Sequence, residues 1–328
     1  MDAITNALMG LFKWINDTIT SNFGLTIVLF TLLLRLVCLP LDIRARKGQR
    51  DFQRKTAMIQ PEMDKLNKAY KNDPQQLQRK VMELRKSVGL GLMPKGCFSQ
   101  LLVYPLLIAF FAVFRSMAAQ QTEALAGLIN TYGADSAEVT KWFAENSFLW
   151  IHNLWMPDNL AWLNYVPVLR AIPLIGGLFN NIVADIVPID IIGTNTKYLS
   201  GMFSDAAKVE SFQAAFTALK ALPQYAGANG LFVLPVLAGA VQFFSLRINQ
   251  KLNPTPTPNS DDPQAASGQK MSKFMNIFFP ILFVYFCLTS SSALAIYWIT
   301  SSLIMLATNV IINKVLDAIE KKKAAQAA

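Results

Sequence analysis

Apolar positions in this chain follow two patterns: unbroken runs, and repeats every three or four residues among charges. Five unbroken runs stand out, at 25–41 (LTIVLFTLLLRLVCLPL), 98–117, 230–248, 274–290 and 292–312. Each is about 17 to 21 residues, or roughly 25 to 30 Å of helix, close to the thickness of a hydrocarbon core. The shorter runs predict local thinning of the bilayer. The last two runs nearly touch, at TSSSA, which predicts a tight helical hairpin. Segment 42–95 is polar but periodic. Phe52, Ile59, Met63, Leu66 and Tyr70 step by 7, 4, 3 and 4, and Leu77, Val81, Leu84 and Val88 by 4, 3 and 4. That spacing marks one face of a helix. Between them Asn72-Asp73-Pro74 ends one helix and opens the next, because proline suits a first turn and restricts the residue before it. Two helices joined so closely pack antiparallel. In residues 1–24, Ile4, Leu8, Leu11, Phe12, Ile15 and Ile19 recur at helical spacing, which predicts an amphipathic helix lying on a membrane surface. The expected fold class is all-α: a polytopic membrane protein with five spans, a helical hairpin in 42–95 and an interfacial N-terminal helix.

Composition agrees. Of 328 residues, 53% are hydrophobic and 16% charged, too few charges for one ordinary soluble domain or a disordered chain. Cys38, Cys97 and Cys287 form neither a disulfide framework nor a metal cluster. No cofactor is expected. The net charge of +9 is unevenly placed. Segment 42–95 holds 14 Lys/Arg and 6 Asp/Glu, whereas 116–229 holds 5 and 9. Segments 247–273 and 313–328 each hold 4 and 2, and residues 1–24 hold 1 and 2. Basic residues stay cytoplasmic, so the expected topology is N-terminus out, 42–95 in, 118–229 out, 249–272 in and the short basic tail 313–328 in. The first 24 residues lack the pattern of a cleaved secretory signal.

The basic hairpin predicts a docking arm for an acidic partner such as anionic lipid or ribosomal RNA, through Arg54, Lys55, Lys65, Lys68, Lys71, Arg79, Lys80 and Arg85. A solvated coiled coil without a partner is the bland alternative. No aromatic platform predicts sequence-specific RNA reading, and nothing predicts DNA binding. Gly89–Gly96 (GLGLMPKG) lacks the spacing of a phosphate loop and reads as a turn. In the outer segment, Trp142–Pro157 is aromatic-rich and is expected at the membrane interface. Residues 165–193, broken by Pro167, Pro173, Gly176, Gly177 and Pro188, read as interfacial or re-entrant, and 253–269 as a flexible loop.

Among Asp, Glu, Lys, Arg and His, Arg35 is the one residue well inside a run; it lies six residues, roughly 9 Å, before Leu41. A guanidinium at that depth is costly unless hydrated or paired, and runs two to five contain no Asp or Glu. It is expected either to snorkel to the inner headgroups or to face a water-filled cavity open to the cytoplasm. Such a cavity would be lined by Arg35, Gln100, Gln242, Thr300 and Ser301. The lack of intramembrane Asp, Glu or His argues against ion- or proton-coupled transport. No nucleophile–base pair is assembled and His152, the only histidine, reads as a hydrogen-bonding residue. An enzyme is not expected.

Residues 24–115 resemble the YidC membrane protein insertases, relatives of the mitochondrial and chloroplast Oxa/Alb proteins. The residues that carry this are LTIVLFTLLLRLVCLPL, MIQPEMDKLNKAYKNDPQQLQRKVMELRKSVGLGLMPKGCFSQLLVYPLLIAFFAVFR, SFLWIHNL, and near the C-terminus MNIFFPILFVYFCLTSSSALAIYWITSSLIMLATNVII. The chain looks like the five-span Gram-positive type, except that 158–229 is longer than the family's usual outer loop. The resemblance implies an insertase and folding chaperone in the bacterial inner membrane, working alone or beside the Sec translocon. Arg35 matches the family's groove arginine, and Gln242 and Trp298 match positions facing the same groove. The hairpin would receive nascent membrane proteins or the ribosome and signal recognition particle pathway. A small-solute transporter or channel is the alternative, since a wet cavity would serve it too.

Overall fold

The computed structural model describes residues 2–70, 73–90, 103–158, 196–225, 229, 232–252 and 263–327. Its helices are α1 (Asp2–Ile15), α2 (Phe23–Ala69), α3 (Pro74–Ser87), α4 (Val103–Tyr132), α5 (Ala137–Asn146), α6 (Thr196–Met202), α7 (Ala206–Lys220), α8 (Val233–Leu252), α9 (Pro263–Thr289) and α10 (Ser292–Ala327). Among the described residues the one β feature is an isolated bridge between Phe148 and Ile151. The protein is all-helical, and its apolar helices are of the membrane type. By length and composition, Phe23–Ala69 and Ser292–Lys322 are each sufficient to cross a bilayer, and Phe274–Thr289 is a shorter apolar helix. Leu32, Leu33, Leu36 and Val37 on α2, Ile277 and Ile281 on α9, and Ile311 and Val315 on α10 are exposed. Water would penalise such surface; hydrocarbon accepts it.

Several helices outrun their apolar segments. The apolar run 25–41 and the polar segment after it share one helix: α2 runs 47 residues without interruption, through Pro40 and Pro61. A proline inside a helix forfeits one backbone bond and strains its preceding turn, but the long flanking turns on both sides keep this helix continuous. Helix α9 begins at Pro263, inside the stretch expected to be a flexible loop, because proline is preorganised for a first helical position. The turn at Asp73 is as the spacing predicts, with Asp73 Oδ1 accepting from Gln76 N at 3.0 Å. Residues 91–102 and 159–195 lie outside the described residues, and with them the GLGLMPKG turn beyond Leu90 and the 165–193 segment.

The described chain forms two compact units. The first comprises Met1–Leu33, Leu107–Gln242 and Pro280–Ser302. An aromatic spine runs through it: Phe12 packs edge-on to Phe30 (5.4 Å), Phe30 to Phe110 (5.8 Å), and Phe110 against Tyr297 (5.0 Å). Helix α1 is therefore more than a surface helix. Leu8, Phe12 and Ile15 are buried in protein, while Ile4, Leu11, Trp14 and the following Ile19 remain exposed. The aromatic segment 142–157 packs largely into this unit. Trp142 and Trp155 are core residues. Each indole N–H finds an acceptor, Gln121 Oε1 at 3.1 Å for Trp142 and Asn146 Oδ1 for Trp155, which removes the reason for the ring to seek water. Only Leu149 and Trp150 of that segment stay largely exposed among its large apolar residues.

Residues 153–158 cap two helices at once. Asp158 accepts from Phe232 N and Leu234 N, both at 2.7 Å, at the start of α8. The carbonyls of Met156 and Leu154 accept from Ser292 N (2.9 Å) and Ala293 N (2.7 Å) at the start of α10. Helix N-termini carry unpaired N–H groups, and these are buried, so each needs such a partner. Asn229 holds the capping loop in place. Its Oδ1 accepts from His152 N (3.0 Å) and Asn153 N (3.1 Å), and its Nδ2 reaches Asn153 O, Met156 O, Pro157 O and Ser292 Oγ within 2.9–3.3 Å. The long outer insert thus leaves the fold at Asp158 and re-enters it at Asn229, beside its own starting point. Its helices α6 and α7 are docked on α4: Arg115 Nη2 donates to Gly201 O (2.7 Å) and Lys208 pairs with Glu123 (2.5 Å). Phe212, Phe216 and Leu219 of α7 are buried beneath.

The second unit comprises Leu34–Leu106, Phe243–Phe279 and Leu303–Ala328. In it the distal part of α2 and α3 run antiparallel, so that Lys55 Nζ lies beside Gly89, whose φ of +66° turns the chain after α3. Ile59 and Leu90 are buried.

Two outcomes are expected. Asn229→Ala leaves several buried backbone groups unpaired and should cost about 3 kcal/mol or more of unfolding free energy in detergent, measured by chemical denaturation. Burial raises the Asp158 carboxyl to about 6, outweighing the backbone N–H groups that favour its ionised form. The protonated acid is therefore favoured in the fold. Its stabilising contribution is complete below pH 4 and is lost as pH rises through about 6, in all about 3 kcal/mol for a shift of roughly two units. The thermal midpoint should fall between pH 5 and 7.5, and Asp158→Asn should flatten that slope.

Candidate functional site

Arg35 is half-buried on α2, in the second unit. It is the single residue among Asp, Glu, Lys, Arg and His in α2 from Phe23 to Leu41. The anion expected to be missing is supplied from the same helix. Asp42 follows two turns later and interacts electrostatically with both Arg35 and Arg46. Burial raises the Asp42 carboxyl above its ordinary range, and the two guanidiniums pull it back only in part. Asp42 is the first residue beyond the apolar run that holds Arg35.

Gln242, Trp298, Thr300 and Ser301 belong to the first unit. Gln242 is half-buried on α8, and the other three sit within a single turn of α10, with Ser301 buried. Trp298 meets Phe283 edge-on at 4.7 Å and Phe111 at 6.1 Å. Its indole Nε1 is buried without a hydrogen-bond partner among the described residues, a polar atom stranded in an aromatic setting. Gly239, one turn before Gln242, lets α8 approach α9, since a Cβ there would stand 2.7 Å from Val284 Cγ2. Gln100 lies outside the described residues.

The hairpin cations are not all alike. Lys55, Lys65, Lys68 and Arg79 are exposed. Lys80 pairs with Glu83 at 2.9 Å, which raises the lysine pKa and lowers that of the glutamate. Arg54 pairs with Glu320 of α10. Arg85 is half-buried on α3, with Nε unpartnered among the described residues. Lys71 lies outside the described residues. No group of three or more His, Cys, Asp or Glu is placed to hold a metal ion among the described residues.

A polar ladder escaped the sequence reading. Arg46 donates through Nε to Asn309 Oδ1 and through Nη2 to Asn249 Oδ1, both at 2.9 Å. One turn on, Arg50 donates to Asn313 Oδ1 and to the Asn313 carbonyl, both at 3.1 Å, and pairs with Asp317 at 2.7 Å. Asn309 and Asn313 are buried. Burial lowers the pKa of Arg46, with Asp42 raising it and Arg50 lowering it in turn. The signal was present in the spacing: arginines at 46, 50 and 54 and asparagines at 309 and 313 recur every four residues, along one face of each helix.

Arg50→Ala, which strips partners from buried Asn313, should destabilise the attachment of α10 by about 2–3 kcal/mol. Arg54→Ala, which removes a more exposed pair, should cost less than about 1 kcal/mol. Hydrogen exchange of the 309–322 amides would separate the two.

Comparison with known proteins agrees with this architecture. The family model described as 60Kd inner membrane protein matches residues 14–321. Two clostridial proteins named membrane protein insertase YidC are similar along the chain. The one from Clostridium tetani is 25% identical over 96% of this chain and 95% of its own length. The one from Clostridium perfringens is 34% identical over 51% of this chain and 61% of its own. A protein of the same name from Chlorobaculum tepidum is 23% identical over 97% of this chain, which spans only 37% of that longer protein. A membrane-type helical architecture and a family match covering nearly every described helix lead to one conclusion: the chain belongs to the 60Kd inner membrane protein family.

Proposed function

We propose that this protein is a membrane protein insertase and folding chaperone, acting through a hydrophilic groove open to the cytoplasm and to lipid. Family membership, with relatives named as YidC insertases, supports the activity. The observation that carries the groove is Arg35, a half-buried guanidinium in an otherwise uncharged apolar stretch of α2. The proposed lining is Arg35 with Gln100, Gln242, Trp298, Thr300 and Ser301. The five spans, the N-out and C-in orientation and the place in a bacterial inner membrane belong to the same proposal. It rests on the run lengths and on the charge asymmetry of the connecting segments.

A nascent chain with a short polar tail and one or two apolar helices first meets the basic hairpin, whose exposed Lys55, Lys65, Lys68 and Arg79 suit an acidic partner. Nascent membrane proteins, the Sec translocon, the ribosome and signal recognition particle pathway and anionic lipids are the proposed partners. The tail enters the groove, where Arg35 attracts its acidic residues and water shortens the dry path. The apolar helix then moves into lipid, and burial of its surface at roughly 25 cal/mol per Å² drives the step without nucleotide hydrolysis. A solute channel is not favoured. It needs a polar path through both ends, whereas Trp155, Met156, Asn229 and Ser292 are fully buried and tightly bonded at the starts of α8 and α10.

Reconstitution in liposomes with a single-span client tests this reading. Arg35→Ala should lower insertion of a client with an acidic tail about five- to tenfold, equivalent to roughly 1–1.4 kcal/mol, and affect a neutral tail much less. Arg35→Lys should retain most of the activity. Equal loss for both tails would remove the electrostatic role, and a wild-type chain that inserts nothing would remove the function.

A further inference from the structure

We propose that the turn Phe148–Ile151 is a lipid-contact wedge, seated in the bilayer interface at the N-terminal end of α2. It goes beyond the insertase reading and requires only that α2 enters the bilayer near Leu25. Phe148 and Ile151 exchange two backbone hydrogen bonds of 2.8 and 2.9 Å. Leu149 sits between them at φ +55°, in the left-handed region that a leucine side chain disfavours. The strain is held by the pairing on either side, and its result is to turn Leu149 (75% exposed) and Trp150 (41% exposed) outward while Ile151 is buried. A leucine forced into a strained conformation and then left bare of protein has no gain in water.

Its depth is fixed by neighbours. The Phe148 ring covers Gly24, where any Cβ would collide with it. The Asn22 amide donates to Ser147 O (2.9 Å) and Ala144 O (3.2 Å), and Phe23 packs edge-on against Trp155 at 5.4 Å. The turn thus stands level with the first turn of α2, immediately before its apolar run. Leu149 and Trp150 are exposed beside the first turn of a helix whose Leu25, Leu32 and Leu33 are exposed too. That is the depth at which Trp is favoured, its ring half in hydrocarbon and its N–H toward water. Charge does not suggest an acidic headgroup. Glu145, just before the turn, is balanced by Lys141 at 4.0 Å. The partner is therefore the acyl–headgroup boundary itself, taken by apolar contact.

The test uses the full chain in neutral phosphatidylcholine vesicles, with Cys38→Ser, Cys97→Ser and Cys287→Ala as background. Leu149→Cys carries a bimane label, and Lys220→Cys, exposed on α7, provides a reference in water. At position 149, lipids with a shallow acyl nitroxide should quench at least about threefold more than aqueous iodide does. This should not change between about 0.05 and 0.5 M salt, across which exposed charges become screened. At position 220 the order should reverse. In the native-cysteine chain, Trp150→Phe should reduce quenching of tryptophan by brominated lipid, a readout independent of the label. Iodide quenching at 149 equal to that at 220 would overturn the proposal. So would lipid contact that appears only with anionic lipid or vanishes at high salt.

Discussion

Buried helix N-termini need partners, and in the first unit residues 153–158 supply them for two helices. An amide N–H left bare in a low-dielectric interior costs several times what a satisfied one contributes. Asp158 meets those of α8, the carbonyls of Leu154 and Met156 meet those of α10, and Asn229 fixes the segment that offers all three. The cost is one acid buried without a cation in contact among the described residues, tolerated because backbone dipoles face it. Everything packed below this point, including the aromatic spine from Phe12 to Tyr297, relies on α8 and α10 starting where they do.

The same rule governs the second unit by a different chemistry. Here the polar residues are arginines, and their partners are mostly neutral amides: Asn249, Asn309 and Asn313. A guanidinium fork bonded to carboxamides keeps its charge and gains direction without neutralisation. Farther along, as exposure increases, carboxylates take over at Asp317 and Glu320. The gradient from amide to carboxylate along α10 follows the gradient from buried to wet. Arg35 lies on the same helix as this ladder, two turns before Asp42, so the electrostatic field around it is set partly by its own helix.

The outer insert shows how a membrane protein accommodates extra length. It departs at Asp158 and returns at Asn229, and both residues serve the core rather than the insert. Its described helices rest on α4 through Arg115 and Lys208. Arg115, near the end of its apolar run, donates to a backbone carbonyl of the insert.

Periodicity along the chain determined the helices, the break at Asp73, the all-helical class and the charge that Arg35 places in an apolar run, because each depends on residues within a few turns of one another. It also contained the four-residue spacing of the arginines, but not their partners. Tertiary structure alone decided that Asp158 caps α8, that Asn229 gathers the loop, that Arg46 meets Asn309, and that Trp142 and Trp155 are buried in protein. These pairings join residues up to 263 positions apart. A polar side chain in sequence shows only that it must be satisfied; which group satisfies it depends on the packing that excludes water around it.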